Sequence, residues 1–229
     1  MTNQEITTID TNEMLHNIEK PEWKEKLGKI ALNKMRVYDL VRSFKAEIKG
    51  NEKLHNADSN QLLGGLISAA RLGLTFGPPY YECYILPLKT GPTFYIGTKG
   101  LIKIAYQSGI IKSLNVQTVY EGDEFEYAIG TTPYIKHIPN LLEENDIKPF
   151  AYYATVKLSS GEELIQVLTE KVIKKKYYNP KKAPWEEHYE EMAKKVVLRK
   201  LMKLLPQIED QRMIEVEKIE KKSHEESSQ

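Results

Sequence analysis

The sequence predicts an α+β protein with an antiparallel sheet core of β-hairpins and flanking helices. Two patterns indicate this class. Apolar residues recur at helical spacing before about residue 73 and after about residue 170, whereas strand-like alternation dominates residues 80–169. The connections between these strands are too short for a string of parallel crossovers. A Rossmann-like or P-loop architecture is therefore not expected.

The helical part, residues 11–73, contains three clear signals. Pro21 interrupts the first helical pattern. Asp58 and Gln61 have the spacing of a capping box at the start of "DSNQLLGGLISAARLGL". Gly73 suits the end of that helix, because glycine readily takes the left-handed conformation found there.

The strand-rich part, residues 80–169, reads as two hairpins and a middle strand. In "YYECYILPLKTGPTFYIGT" two strands meet at a turn from Lys89 to Pro92. A short helix, "KGLIKIAYQSG", follows with Thr98 as its expected N-cap. Residues 130–148 are predicted to be a loop, and the second hairpin turns at Ser159–Gly161.

The basic helical part, residues 170–206, is predicted to hold two helices. The first begins after Thr169, its expected N-cap, and the second runs from Trp185 to near Pro206. We expect one domain over residues 11–206, a disordered N-terminus over 1–10 and a polar acidic tail over 207–229.

Composition places the chain among globular proteins with a substantial core. It has 229 residues, of which 41% are hydrophobic, and a single cysteine, Cys83, so no internal disulfide can form. No apolar run approaches the roughly 20 residues of a membrane span, and "MTNQEITTID" does not look like a signal peptide. We therefore expect a cytoplasmic protein. Cys83, in a strand-like run, is expected to be a buried small residue.

Charge is unevenly distributed although the net charge is only +1. Residues 171–203 hold ten lysines and one arginine against four glutamates, a net charge of +7. Residues 209–229 have a net charge of −3. A basic segment of this kind suits an anionic polymer, although a solvated helix face would have the same composition.

The stretch "YIGTKGLIKIAYQSG" resembles a phosphate-binding loop only superficially. A Walker loop ends in G-K-[ST], whereas here Gly100 follows Lys99 and no magnesium-binding hydroxyl comes next. On the following helix, Lys99, Lys103, Tyr106 and Gln107 are expected on one exposed face, near the positive end of the helix dipole. This face could follow a chain of phosphates, or it could be an ordinary solvated face.

The last predicted helix combines cations with aromatic residues. Lys195, Arg199 and Lys203 recur at steps of four, and Lys194 projects toward the apolar side, either as a phosphate ligand or with its stem along that side. Trp185 begins the helix. The lysine-rich segment before it adds further cations: Lys175, Lys176, Lys181 and Lys182. Such a mixture is typical of single-stranded nucleic acid grooves, where lysines neutralise phosphates and rings stack on bases.

Enzyme chemistry has little support in the sequence. The run "EGDEFE" clusters carboxylates that could bind two metal ions in a nuclease, but consecutive strand residues point to opposite faces and a solvated turn is favoured. The five histidines lack the spacing of metal ligands, and no nucleophile elbow is present. We expect no catalytic residue, no cofactor and no metal site, and leave dependence on Mg²⁺ open.

Four stretches occur in the order seen in the RecT family: "YYECYILPL", "FYIGTKGLIKIAYQSGIIKSL", "VYEGDEFEY" and "W…YEEMAKKVVLRKLMKLLP". The sequence from about Leu62 to Gln211 thus resembles this family of phage-type single-strand DNA annealing proteins, which are distantly like Redβ and Rad52-type annealing proteins. The resemblance implies ATP-independent binding of single-stranded DNA and pairing of complementary strands in recombination. It also implies a homo-oligomeric ring or helical filament and a partner exonuclease.

The resemblance also assigns roles to residues. Lys99 matches the basic position of the family's glycine-flanked motif, and Lys195 matches the lysine of its "MAxK" motif. Arg199 and Lys200 match the basic pair that often follows, and Trp185 matches an aromatic residue ahead of that helix. Thr98 stands where relatives commonly have tyrosine, and Tyr106 and Gln107 stand where some have arginines.

The predicted function is therefore single-stranded DNA binding and annealing in recombination, without covalent chemistry. The alternatives are a single-stranded DNA or RNA binder that does not anneal and, less favoured, a metal-dependent nuclease. The apolar helix surface of residues 11–73 is the expected contact between protomers. The predicted DNA-binding residues are Lys99, Lys103, Tyr106, Gln107, Lys175, Lys176, Lys181, Lys182, Trp185, Lys194, Lys195, Arg199, Lys200 and Lys203.

Overall fold

The structure, a computed structural model, describes residues 10–32, 36–141, 147–180 and 183–205. It is an α+β fold whose sheets are all antiparallel, as the sequence predicts. Its α-helices are α1 (Thr11–Asn17), α2 (Pro21–Ile30), α3 (Val37–Lys49), α4 (Ser59–Leu72), α5 (Thr98–Gln107), α6 (Glu170–Lys176), α7 (Ala183–Glu187) and α8 (Tyr189–Met202). Its strands are β1 (Cys83–Leu88), β2 (Gly91–Ile96), β3 (Ile111–Tyr120), β4 (Glu124–Ala128), β5 (Tyr134–Ile138), β6 (Pro149–Leu158) and β7 (Glu163–Thr169).

The described residues form two compact units, the first ending at Ile104 and the second beginning at Ala105. This division falls within α5, whereas the sequence suggested internal boundaries near residues 73–80 and 169–170. The single domain expected over 11–206 stays a prediction.

The first unit packs helices on the β1–β2 hairpin. Helix α4 lies against both strands, and α3 contacts α4 and β1. Phe44 of α3, Phe76 and Phe94 of β2 join the two layers through edge-to-face ring contacts, with centroids 5.2 Å and 6.0 Å apart. Cys83 is fully buried at the start of β1, as expected, and burial raises the pKa of its thiol well above the usual value.

Local signals set the bounds of α4. The Asp58 side chain accepts a hydrogen bond of 2.8 Å from the amide of Gln61, and Gly73 ends the helix with φ of 67°, in the left-handed region. Both capping predictions are confirmed. Pro21 is likewise the first residue of α2, where its missing N–H costs nothing.

The second unit is built on the three-stranded sheet β3-β6-β7, with the separate β4–β5 hairpin packed near it. Phe125 of β4 and Ile135 of β5 pack on a buried cluster centred on Val119, Tyr153 and Val167. Helix α8 lies against all three strands of the sheet and buries Val197, Leu198 and Leu201 of the predicted apolar arc; Leu205 is also buried, just past the end of the helix. The burial of all four predicted residues is confirmed, although only the first three lie within α8.

Three local predictions are wrong. Residues 130–148 were expected to be a loop, but β5 lies within them and pairs with β4. The predicted long C-terminal helix is two helices, α7 and α8, separated at His188, whose φ of −133° is not helical. Thr98 is the first residue of α5 rather than a cap before it.

The predicted N-cap of α6 is confirmed, because Thr169 accepts a hydrogen bond from the amide of Val172. The second hairpin turns where expected, whereas Gly91 and Pro92 of the first expected turn already belong to β2. Across the described ranges, no helix is both long enough and apolar enough to cross a membrane.

Candidate nucleic-acid interface

The N-terminus of α5 packs directly on a loop that we call the tyrosine loop, residues 77–82. The amide of Gly97 donates a hydrogen bond of 2.8 Å to the carbonyl of Glu82. A Cβ atom at Gly97 would lie 2.7 Å from the carbonyl oxygen of Tyr81, and one at Gly100 would collide with the carbonyl oxygen of Glu82. The two glycines around Lys99 are therefore needed for close packing of backbone on backbone, and not for a nucleotide loop.

The buried carboxylate of Glu82 also fixes the tyrosine loop. Glu82 accepts a hydrogen bond of 2.8 Å from the amide of Thr75 and forms an ion pair of 2.7 Å with Lys103. Lys103 is only partly exposed because of this pair. In this structure the Lys103 ammonium is paired with Glu82 rather than open beside Lys99, so a phosphate would compete with that carboxylate; the predicted contact of Lys103 with DNA stays a prediction.

Lys99 itself is exposed, as expected. Its ammonium nitrogen lies 5.4 Å from the centroid of the Tyr81 ring, within the range of a cation–π contact. The first unit therefore presents a lysine ammonium over an exposed aromatic ring.

Tyr106 and Gln107, at the end of α5, differ in their exposure. The Tyr106 ring is exposed, and its hydroxyl accepts a hydrogen bond of 3.0 Å from the amide of Leu114. Gln107 is half-buried, and its Oε1 is buried without a hydrogen-bond partner among the described residues. Tyr106 thus remains accessible, whereas Gln107 is not on the open face that the helical wheel predicts.

The second unit places predicted cations at the C-terminal ends of α6 and α8. The Lys200 ammonium lies 5.8 Å from the centroid of the Tyr177 ring, which joins the last turn of α8 to the C-terminal end of α6. Lys175 and Lys176 are exposed at that end of α6, and Lys203 is exposed just after α8. We call this group the α6–α8 lysine cluster: Lys175, Lys176, Lys200 and Lys203.

Trp185 is not available as a stacking platform in this structure. It is only 6% exposed and lies in an aromatic cluster with Tyr178 and Tyr189, at centroid distances of 5.9 Å and 5.7 Å. The Tyr189 hydroxyl also donates a hydrogen bond to Glu170, 3.0 Å from either carboxylate oxygen. The expected base contact of Trp185 therefore has no open ring face, and the side chain joins α7 to α6 and α8.

Lys194 is neutralised within α8. Its ammonium lies 2.7 Å from a carboxylate oxygen of Glu191 and 3.5 Å from one of Glu190. Burial alone would lower the pKa of Lys194, but the two glutamates outweigh it and raise the pKa. A phosphate at this position would have to displace two carboxylates.

Glu190 in turn connects α8 to the sheet. It accepts hydrogen bonds of 2.7 Å from Thr118 and 3.0 Å from the Tyr120 hydroxyl, both on β3. Burial would raise the pKa of Glu190, but these bonds and Lys194 lower it, so the carboxylate stays charged. Glu190 is therefore a structural contact between α8 and β3.

The burial of Lys195 is the largest departure from the predicted exposure of these residues. It is 4% exposed, although the periodicity of α8 places it in line with Arg199 and Lys203. Arg199 is half-buried, and of the three only Lys203 is exposed. The stripe of cations expected along α8 is thus exposed only at its C-terminal end. The two remaining predicted residues, Lys181 and Lys182, lie outside the described residues.

The carboxylates of "EGDEFE" have separate partners. Asp123 lies 3.0 Å from Nε2 of His137, Glu124 is paired with Lys136, and the Tyr134 hydroxyl donates to Glu126. No group of three or more His, Cys, Asp or Glu residues in the described part of the chain is placed to hold a metal ion. The run forms hairpin contacts rather than a convergent acidic site.

Sequence reasoning missed the tyrosine loop. Tyr80 and Tyr81 are 53% and 44% exposed, and Tyr81 has φ of 53°, which is uncommon for a residue other than glycine. The available signal was the pair of adjacent tyrosines after Gly77 and two prolines, because such a segment commonly forms an exposed turn.

Comparison with known proteins agrees with the sequence motifs. Residues 38–229 match the RecT family. The chain is also 31% identical over 231 residues to Protein RecT of Escherichia coli (strain K12), an alignment that covers 95% of this chain and 85% of that protein. A family match of this extent and a relative at this identity agree with each other. The chain therefore belongs to the RecT family.

Proposed function

We propose that this member of the RecT recombination family binds single-stranded DNA and anneals it to a complementary strand without ATP. The observation that carries the proposal is the family match over residues 38–229. The exposed lysines of both units support it, because they supply the cations that a phosphate backbone needs.

The mechanism is electrostatic and geometric. Lys99 and the α6–α8 lysine cluster neutralise phosphates, so that the bases of a bound strand remain free to pair. Helix C-termini favour nearby lysines even without a ligand, so their placement at the ends of α6 and α8 also suits a purely structural role. Binding measurements separate the two roles.

Several finer features belong to the same proposal. We infer that the protein forms a homo-oligomeric ring or filament through the helical surface of residues 11–73, and that an exonuclease supplies its single-stranded substrate. Proteins that only coat single strands keep complementary strands apart, whereas an annealer brings them together. The rate of pairing therefore discriminates annealing from plain binding of DNA or RNA.

The decisive experiment follows two complementary labelled oligonucleotides without ATP. We expect the protein to accelerate their pairing over the spontaneous rate, and we expect the double variant Lys175→Ala/Lys176→Ala to lose most of the acceleration. Lys112→Ala/Lys157→Ala is the matched control, since both lysines are exposed on strands of the same unit. Slower pairing than in the absence of protein would mean that the protein is a binder and not an annealer.

The nuclease alternative has its own test. Incubating labelled single strands with the protein and Mg²⁺, followed by denaturing electrophoresis, would show shortened strands if the carboxylates of β4 and its preceding turn cut DNA. We expect intact strands, because Asp123, Glu124 and Glu126 are each held by a different partner.

A further inference from the structure

We propose that Tyr80 and Tyr81 of the tyrosine loop form a base-stacking platform, with Lys99 beside it to contact the adjoining phosphate. This inference rests on the proposed function and adds to it a contact with bases. Both rings are substantially exposed, whereas Trp185, the aromatic residue that the family resemblance suggests for this role, is buried.

Several hydrogen bonds hold the loop that carries the two rings. The amide of Tyr81 donates a hydrogen bond of 2.7 Å to the carbonyl of Gly77, and the hydroxyl of Tyr84 donates one of 3.3 Å to the carbonyl of Tyr81. On the other side, Glu82 is buried and held by Thr75 and Lys103. A platform that is already ordered loses little conformational entropy when a ligand binds.

The backbone of Tyr81 supports a role beyond packing. A tyrosine with φ of 53° is in the left-handed region, which costs free energy for a residue with a side chain. Glycine or asparagine would fit this backbone better. The surrounding contacts fix that conformation and direct the ring outward, where it remains 44% exposed.

The position of Lys99 indicates the class of ligand. Its exposed ammonium lies over the Tyr81 ring, 5.4 Å from the centroid, so a base that stacks on the remaining exposed surface of the tyrosine pair brings its own phosphate close to a cation. Aromatic rings beside a lysine match a nucleotide, which has a flat apolar base and an anionic phosphate. A purely apolar partner would not need the lysine, and we therefore favour single-stranded DNA over a second protein.

The test compares two strands of equal length, oligo(dT) and an abasic strand with the same phosphates. We expect the wild-type protein to bind oligo(dT) more tightly. The double variant Tyr80→Leu/Tyr81→Leu should lose about 10-fold in affinity for oligo(dT), since stacking on an aromatic ring is lost. Its affinity for the abasic strand and its dependence on salt should not change, because no phosphate contact is removed.

Two controls accompany this variant. Tyr80→Phe/Tyr81→Phe keeps the rings and should bind like the wild type. Tyr127→Leu removes another exposed tyrosine, 41% exposed on β4, and should leave the base preference unchanged. If the leucine variant does not fold, photo-crosslinking of wild-type protein to a 5-iodouracil strand decides the question. The tryptic peptide of residues 72–89, which contains both tyrosines, should carry the crosslink.

The outcomes that overturn the inference are distinct. If the leucine variant prefers oligo(dT) as strongly as the wild type, or the crosslink falls only on other peptides, the tyrosines do not contact bases. A changed oligomeric state by light scattering with an unchanged base preference would assign the pair to a protomer contact instead. If the wild-type protein binds neither strand, the proposed function is wrong and so is the base-stacking platform that rests on it.

Discussion

At the scale of single residues, the lysines that helical periodicity places on one face of α8 differ in their burial. Lys195 and Lys203 are two helical turns apart on α8 and were predicted to share one face, yet only Lys203 is exposed. A lysine that is 4% exposed contributes to the fold through its stem and through the neighbours of its ammonium group. The family motif that contains Lys195 can therefore reflect stability as well as DNA binding.

Lys195→Ala should lower thermal stability, in contrast to Lys203→Ala. Truncating a buried polar side chain leaves its neighbours unsatisfied and costs about 1–3 kcal/mol. For a chain of this size each kcal/mol corresponds to about 2–4 °C in Tm. We expect a Tm several degrees lower for Lys195→Ala and an unchanged Tm for Lys203→Ala, measured by circular dichroism. Equal Tm values with weaker DNA binding in Lys195→Ala would contradict the structural role and support a direct phosphate contact.

At the scale of elements, the β4–β5 hairpin is attached to the sheet through a buried polar group. Asp123 is hydrogen-bonded by the amides of Tyr120 and Asn140 and lies 3.0 Å from Nε2 of His137, whose Nδ1 is 3.2 Å from the Tyr153 hydroxyl. Burial would raise the pKa of Asp123, but the bonds from His137 and the two amides outweigh it and lower the pKa. Asp123 thus stabilises the hairpin in its charged form.

This arrangement predicts how stability depends on acid. A carboxylate with a depressed pKa in the folded protein stabilises it above the unfolded pKa of about 3.9, and this contribution is lost as pH falls through the folded value. Asp123→Asn should therefore be less stable than the wild type at pH 7, and the difference should shrink below about pH 4. Chemical denaturation at several pH values measures it.

The exposed carboxylate Glu121 provides the matched control, because it lies in the same turn. Glu121→Gln should leave stability nearly unchanged at every pH. A difference between Asp123→Asn and the wild type that stays constant down to pH 3 would show that the ionised form of Asp123 does not stabilise the hairpin.

The elements also show what the sequence could and could not predict. Asp58, Gly73 and Thr169 act through contacts within one turn of the chain, so residue type and spacing were sufficient. Strand β5, "YIKHI", has a clear alternation, but nearby prolines indicated a loop. Only its pairing with β4 shows that this segment is a strand. The packing of Lys103 against Glu82 depends on residues 21 positions apart, which periodicity cannot reveal.

At the scale of the whole molecule, exposed lysines occur in both compact units although the net charge is only +1. Lys99 belongs to the first unit and the α6–α8 lysine cluster to the second. Binding to a phosphate chain depends on the number of cations that contact it and not on the net charge of the protein. Each unit should therefore contribute separately to the salt dependence of DNA binding.

The slope of log affinity for oligo(dT) against log salt concentration measures this contribution. Each phosphate contact on a single strand adds about −0.7 to the slope. Lys99→Ala should reduce its magnitude by about 0.7 and Lys175→Ala/Lys176→Ala by about 1.4, and the combined variant should show the sum. Lys112→Ala/Lys157→Ala should keep the wild-type slope. If the lysine variants bind more weakly with no change in slope, these side chains do not contact phosphates and act through the fold instead.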